Sequence, residues 1–168
     1  AGPLAARLWP AVVQAVLSRE ADEGDRDGDR SYVLVPMPSR PGAVRERGRD
    51  TTALLARRVS RIAARHDWSL PTVPALRVAR RVQDSAGLGA AARRVNLQGA
   101  FAVRWWPGRR LRSEAPTVEA VLCDDLVTTG ASLTEAARAL RAAGVPVAGA
   151  VAVVATRRHR QRSGHRQR

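Results

Sequence analysis

One segment of the sequence, VEAVLCDDLVTTGASLTEAARAL, constrains the fold more than any other. Its apolar run ends at Cys123 and predicts a strand that is buried on both faces. The helix formers from residue 132 to 143 predict a helix that Gly144 ends. A strand, a short polar loop and a helix in this order are typical of a parallel sheet with helical crossovers. In open sheets of this kind ligands bind beyond the carboxyl ends of the strands, which is where Asp124 and Asp125 are expected.

The remaining hydrophobic patterns fit the same α/β class. Strands are predicted at residues 32–35, 72–80, 100–106 and 145–156, and helices at 4–18 and 43–65. The acidic segment at 20–30 is predicted to be a loop, and the polar segment at 80–99 a long loop that ends in a helical turn. We therefore expect an open, mainly parallel, twisted sheet flanked by helices.

The composition excludes several classes of protein. A single cysteine in 168 residues rules out an intrachain disulfide and a cysteine-rich zinc cluster. No apolar run approaches the roughly 20 residues that a membrane span requires, so we expect no membrane insertion and a cytoplasmic location. The formal net charge is +14, and every basic residue is arginine because the sequence contains no lysine. Such a charge favours partners that carry phosphate, including nucleic acid.

The residues after the predicted strand suit a sugar phosphate. The oxygens of Asp124 and Asp125 are acceptors for the two hydroxyl groups of a vicinal diol. The loop that follows offers hydroxyl groups and closely spaced N–H groups at the start of a helix, where the helix dipole favours an anion. Gly130 permits a positive φ and a close approach of the backbone. This phosphate loop consists of Thr128, Thr129, Gly130, Ala131 and Ser132, and with the two acids it predicts a site for ribose 5-phosphate.

Two other phosphate-binding motifs are absent from the sequence. It contains no G-x-x-x-x-G-K-[ST], and no G-x-G-x-x-G follows the first predicted strand. A simpler interpretation of the loop is a polar turn in which Thr129 or Ser132 only caps the helix. A cap, however, has no use for two adjacent acids.

Three segments also resemble a known superfamily. CDDLVTTGAS, between its strand and its helix, resembles the motif with which type I phosphoribosyltransferases bind 5-phosphoribosyl-1-pyrophosphate (PRPP). VPMPSRPGAVRERGRD resembles the pyrophosphate-side segment of the ComF-type (late competence) branch, and QDSAGLGAAARRVNLQGAF resembles a further segment of that branch. The resemblance implies a type I phosphoribosyltransferase-like domain at residues 31–156 with a flexible hood loop. An N-terminal helix and acidic loop (1–30) would precede it, and a basic, disordered tail (157–168) would follow.

The resemblance implies roles for individual residues. Asp124 and Asp125 would form the catalytic pair at the ribose hydroxyls, and the phosphate loop would hold the 5′-phosphate. Ser39 and Arg40 would lie on the pyrophosphate side. The hood, residues 80–96, would contact the ligand through Gln83, Arg94 and Asn96. Mg²⁺ would bind through PRPP, with no direct protein ligand, and a homodimer is expected by analogy.

The chain departs from the family pattern in three ways. A ComF-type zinc ribbon with four cysteines has no counterpart here, Arg49 and Asp50 stand in place of the usual Asn-Gln, and no hood lysine is present. The implied activity is transfer of ribose 5-phosphate to a nitrogen nucleophile with release of pyrophosphate. An alternative is a non-catalytic phosphoribosyltransferase-like module that assists DNA uptake or handles single-stranded DNA. A salvage enzyme for a purine or pyrimidine base is a third interpretation, for which the sequence offers no evident base pocket.

The aromatic and histidine residues outside these segments predict no chemistry. Trp68, Trp105 and Trp106 are expected to pack in the core or at its rim. His66 ends a predicted helix without an evident partner, so we expect neither a catalytic nor a metal-binding role for it.

Overall fold

A computed structural model describes residues 2–23, 30–39, 48–80, 90–105, 107–108, 111 and 118–155. Four helices and five strands have defined bounds within this part of the chain. The helices are α1 (Gly2–Glu23), α2 (Thr51–Ala64), α3 (Ala90–Leu97) and α4 (Ala131–Ala142). The strands are β1 (Ser31–Pro36), β2 (Leu76–Val78), β3 (Phe101–Val103), β4 (Val118–Val127) and β5 (Val147–Ala155).

The main sheet is parallel, and β4 lies at its centre between β1 and β5. A short stretch beyond β1 extends the sheet by a single bridge between Leu34 and Thr72. The Leu34 N–H donates to Pro71 O at 2.9 Å, and the Val73 N–H donates to Leu34 O at 2.8 Å. The order across the sheet is therefore the Thr72 stretch, β1, β4 and β5. The coarse prediction of an α/β fold with a parallel sheet and flanking helices is confirmed.

The central strand is buried on both faces because its side chains alternate between two apolar clusters. Val121 and Cys123 belong to a cluster with α1 and α2 on one face. Ala120 and Leu122 belong to a cluster with α4 and β2 on the other face. The prediction from the apolar run VEAVLC is thus confirmed.

Helix α1 belongs to the core of the sheet and is longer than predicted. Leu8, Val12 and Val16 are fully buried at helical spacing, and they share a cluster with β1 and β4. The predicted end at residue 18 is wrong, since the helix continues to Glu23 into the segment expected to be an acidic loop. No helix in the described part of the chain is long and apolar enough to cross a lipid bilayer.

Two predicted strands form a separate two-stranded antiparallel sheet and do not join the parallel sheet. β2 pairs antiparallel with β3 over three residues each. The prediction of a continuous strand at 72–80 is wrong. The Ala75 N–H, which would be next to continue the ladder with β1, donates to Val73 O at 2.8 Å instead, and Pro36 of β1 has no N–H to donate to Val73. Of the helix predicted at 43–65, the described part begins at Thr51 with Asp50 as its N-cap, and residues 43–47 lie outside the described residues.

A buried ion pair ties α1 to the start of β4. Glu119 is 3% exposed, and its Oε2 accepts a hydrogen bond from Arg19 Nε at 3.0 Å. Arg30, at the entry to β1, places Nη1 3.7 Å from Glu119 Oε1. One carboxylate therefore connects three elements at the edge of the sheet opposite the carboxyl ends of its strands.

We expect Glu119→Gln to lower the free energy of unfolding by about 1–3 kcal/mol, because two arginines then lose a buried anionic partner. Urea unfolding followed by circular dichroism measures the change. Asp67→Asn is the matched control, since it removes the charge of an exposed acid and should change the stability by at most about 0.5 kcal/mol. Equal effects of the two variants would contradict a stabilising role for the Glu119 pair.

Candidate functional site

The two acids lie where the sheet loses one of its strands. The pairing of β1 with β4 ends at Pro36 and Cys123, and the Met37 N–H donates to Cys123 O at 2.8 Å. β4 continues past this point with β5 alone, pairing Asp124 with Ala152. The strand was predicted to end at Cys123, whereas it ends at Val127. The acids are therefore part of a strand that projects beyond its neighbour.

The end of β1 beside β4 is also the switch point of the sheet, where the connections that follow two adjacent strands lead in opposite directions. The chain leaves β1 through α2 and reaches the Thr72 stretch on one side, and it leaves β4 through α4 and reaches β5 on the other. α2 and α4 lie on opposite faces of the sheet. Adjacent strands whose connections diverge open a crevice at their carboxyl ends, and ligands bind there in open α/β sheets.

The Asp124 side chain fills part of the gap that β1 leaves. In a parallel ladder the N–H of Asp125 points to the same side as the carbonyl of Cys123, towards β1. Since β1 has ended, Asp124 Oδ1 accepts this N–H instead, at 2.8 Å. Asp124 is half-buried, and burial raises its pKa to about 6, with a further contribution from the negative charge of Asp125. Within the described residues neither acid forms an ion pair.

The cysteine before the acids is inert. Cys123 is fully buried, and burial, together with the charges of Asp124 and Asp125, raises its pKa to about 12. A thiol with this pKa carries essentially no thiolate at neutral pH and is not a nucleophile. Cys123 packs in the core as a small apolar residue.

The phosphate loop leaves the start of α4 without a side-chain cap. The N-cap is Gly130, with a φ of 74°, and no described side chain makes a cap hydrogen bond there. The Ala131 N–H points to Thr129 Oγ1 at a long 3.4 Å. Thr129 therefore accepts only the first N–H of the helix, through a long bond, and capping by Ser132 is not observed. The next N–H groups, of Ser132 and Leu133, are available to an anion.

The residues of the phosphate loop differ in exposure. Thr128 is exposed, whereas Thr129, Gly130 and Ser132 are half-buried. Ala131 is buried against the residues that directly follow the hood. A Cβ built on Gly130 would meet no atom within 4 Å, so the space beside this turn is open. The loop thus combines an accessible backbone with the positive end of a helix dipole.

The predicted pyrophosphate-side segment meets the start of α2. Ser39 Oγ donates to Asp50 Oδ1 at 2.9 Å, and the same oxygen accepts the Ala53 N–H at 3.0 Å. Asp50 thus caps α2 and holds the chain that leaves β1. The sequence contained this signal, because an aspartate before a helical pattern is a strong N-cap candidate. Arg40 lies outside the described residues.

Asp125 opens into a small cavity between α1, α2 and β4. The cavity has a volume of ≈ 300 Å³ and brings Arg49 and Arg58 to the same space as the Asp125 carboxylate. Thr51 also lines it, and its buried Oγ1 has no hydrogen-bond partner in the described structure. Arg49, Thr51 and Arg58 were not predicted as site residues, since only the packing of α2 on the sheet brings them to Asp125.

The hood residues are only partly described. Arg94 is exposed and Asn96 half-buried on α3, whereas Gln83 lies outside the described residues. Arg80 Nη2 donates to Asn96 O and to Gln98 O, at 2.7 Å each. Arg80, the first residue of the hood, therefore binds the backbone at the end of the hood. No described contact brings Arg94 or Asn96 to Asp124 or Asp125.

The residues that directly follow the hood are fixed to α4, the helix that begins at the phosphate loop. The Gly99 N–H donates to Glu135 Oε1 at 2.8 Å. Glu135 is buried on α4, and the hydrogen bond from Arg138 is the main reason that its pKa is lowered. Hood and phosphate loop are thus connected through one carboxylate of α4.

No model of a known protein family matches the chain, and no curated protein matches it. The chemistry of the site must therefore be inferred from its own residues: two carboxylates in the crevice, an uncapped helix start and two nearby guanidinium groups.

Proposed function

We propose that the chain binds PRPP with Mg²⁺ and transfers its ribose 5-phosphate to a nitrogen nucleophile, with release of pyrophosphate. One observation carries the proposal: Asp124 and Asp125 project beyond β1 at the switch point, and the next connection leads directly to the uncapped start of α4. A diol-binding pair and an anion-binding loop at one crevice are the two requirements of a ribose 5-phosphate.

The acids have the charge state that the ribose requires. With a pKa of about 6, Asp124 is largely ionised at neutral pH and can accept hydrogen bonds from ribose hydroxyls. Its Oδ1 already accepts the Asp125 N–H, so its position is fixed before the ligand arrives. A fixed acceptor contributes more to binding than one that must be ordered on arrival.

The leaving group would face the arginines of the Asp125 cavity. When the bond between ribose C1′ and the diphosphate oxygen breaks, negative charge accumulates on pyrophosphate while C1′ becomes oxocarbenium-like and then bonds to the nucleophile's nitrogen. Fixed positive charge close to the departing oxygens lowers the barrier of such a step. Arg49 and Arg58 supply that charge beside Asp125.

The residues of the site are compatible with Mg²⁺ held mainly by its substrate. The ion favours oxygen ligands and is commonly bound by one or two carboxylates plus phosphate oxygens and water. Asp124 and Asp125 would be occupied by the ribose hydroxyls, so the diphosphate and ribose oxygens of PRPP would hold the ion, and the described residues contain no group of three or more acids, histidines or cysteines that could hold a metal. The ion would neutralise part of the diphosphate charge.

The double variant Asp124→Asn with Asp125→Asn should lose at least roughly tenfold in affinity for PRPP-Mg²⁺, because charge-assisted hydrogen bonds are replaced by neutral ones. Isothermal titration calorimetry measures the affinity. An asparagine can still accept the Asp125 N–H, so the fold should persist. Asp67→Asn, which removes an exposed acid at the far end of α2, is the control. Unchanged affinity in the double variant would contradict the proposal, whereas binding without pyrophosphate release would leave a non-transferring module.

PRPP affinity should fall as the pH drops below about 6, because Asp124 then becomes protonated. The 5′-phosphate titrates in the same range, so the comparison is between the wild type and Asp124→Asn. The variant should retain the ligand's own pH dependence and lose the rest. Identical pH profiles would exclude Asp124 from binding.

The same raised pKa predicts the sign of a stability change. The native Asp124 binds its proton more tightly than the unfolded chain, so stability is lost as the pH rises from about 4 to 6. Asp124→Asn should therefore raise the melting temperature at pH 7, and the gain should disappear at pH 4. A variant that is less stable at pH 7 would show that the ionised carboxylate supports the fold.

Gly130→Ala should weaken PRPP binding because alanine at a φ of 74° is strained and shifts the first amides of α4. Gly144→Ala is the matched control, since Gly144 has a φ of 78° at the other end of the same helix. Both changes should cost about 1–2 kcal/mol of stability, but only Gly130→Ala should reduce the affinity measured by calorimetry. Equal affinities would place the 5′-phosphate elsewhere.

A further inference from the structure

A second, larger cavity lies between α1 and α2, next to the one that Asp125 opens into. Its volume is ≈ 620 Å³, which lies within the range of about 300–1,000 Å³ in which proteins bind small ligands. Ala5 and Ile62 give it an apolar floor. Arg58 lines both cavities and marks where they meet.

Two arginines of α2 and the arginine that follows its last residue line this cavity. Arg58, Arg61 and Arg65 are spaced three and four residues apart, so their side chains share one face of the helix. No acid lines the cavity, and the described residues provide none of the three with an ion pair. Like charges at this spacing repel one another, and an anion between them would relieve the repulsion.

Aromatic rings also line this cavity. The Trp9 and His66 rings are stacked with centroids 5.7 Å apart and an interplanar angle of 10°. Trp68 meets Trp9 edge-on at 5.3 Å and 71°, and because Trp68 packs against the core, it fixes the indole in place. Trp9 and His66 both line the cavity, so a rigid aromatic surface lies in the same cavity as the guanidinium groups.

We propose that this cavity binds a planar aromatic anion of nucleotide size, represented by a nucleoside 5′-monophosphate. The phosphate would contact Arg61 and Arg65, and the base would stack on the Trp9–His66 pair, since every nucleobase presents a π-face to an aromatic side chain. The ligand requires neither Asp124 nor Asp125. The site is therefore distinct from the PRPP site and extends beyond the function proposed above.

The test is calorimetry with AMP, adenosine and inorganic phosphate on the full chain carrying Asp124→Asn and Asp125→Asn, because AMP contains the ribose 5-phosphate that the PRPP site would also bind. AMP should bind at least roughly tenfold more tightly than either of its parts. Arg61→Gln should weaken AMP binding about tenfold, whereas Arg57→Gln should not, because Arg57 is exposed on the same helix outside the cavity. AMP should also quench tryptophan fluorescence, and Trp9→Phe should remove most of the quenching.

The outcomes separate this proposal from the PRPP site. Because the titrations use the Asp124→Asn, Asp125→Asn background, AMP binding there does not depend on the PRPP site, and a failure of PRPP binding in the unmodified chain leaves the present inference standing. Equal losses for Arg61→Gln and Arg57→Gln would overturn it, since they would indicate general attraction to a basic surface. Inorganic phosphate that binds as tightly as AMP would also overturn it, because the aromatic rings would then contribute nothing.

Discussion

The termination of β1 before its partner is the constraint on which the site depends. Pro36 is the last residue of β1 and pairs with Cys123, and Ser39 then directs the chain to the Asp50 cap of α2. Because β4 continues with β5, the N–H of Asp125 would be left unpaired at an open edge without the Asp124 carboxylate. A ladder one residue longer would place a backbone carbonyl where Asp124 Oδ1 now lies and would close the crevice.

The alternation of β4 assigns the two acids to different surroundings. Asp125 continues the face of Cys123 and opens towards α2, where Arg49 and Arg58 lie. Asp124 turns into the gap beside β1 and is shielded enough to have a raised pKa. A buried acid without an ion pair in the described structure reduces stability when ionised. Ionisable groups with shifted pKa values are concentrated at binding and catalytic sites.

The sequence predicted the parts of the fold that local chemistry determines. The apolar run up to Cys123 and the helix ended by Gly144 agree with β4 and α4, since buried strands and glycine-terminated helices have strong local signals. The continuation of β4 to Val127 was not predicted. The pairing of β2 with β3, the length of α1 and the cavity beside Asp125 depend on contacts between residues that are distant in the sequence, and no local pattern predicts such contacts. Trp105 shows the same limit: packing was expected, and the residue is 65% exposed, while Trp68 packs against the core as predicted. Trp106, Arg40, Gln83 and the tail lie outside the described residues.

Arg49 and Asp50 have separate physical roles at the start of α2. Asp50 caps α2 and holds Ser39, and Arg49 lines the cavity of Asp125. Arg49 adds a permanent cation to this crevice in a chain that contains no lysine, and a guanidinium can bind phosphate oxygens with two parallel hydrogen bonds. If PRPP binds as proposed, arginines on α2 and at its start would carry the positive charge beside its pyrophosphate. The pyrophosphate side of the site would then be built on a helix fixed to the sheet, and its cations would be in position before the substrate binds.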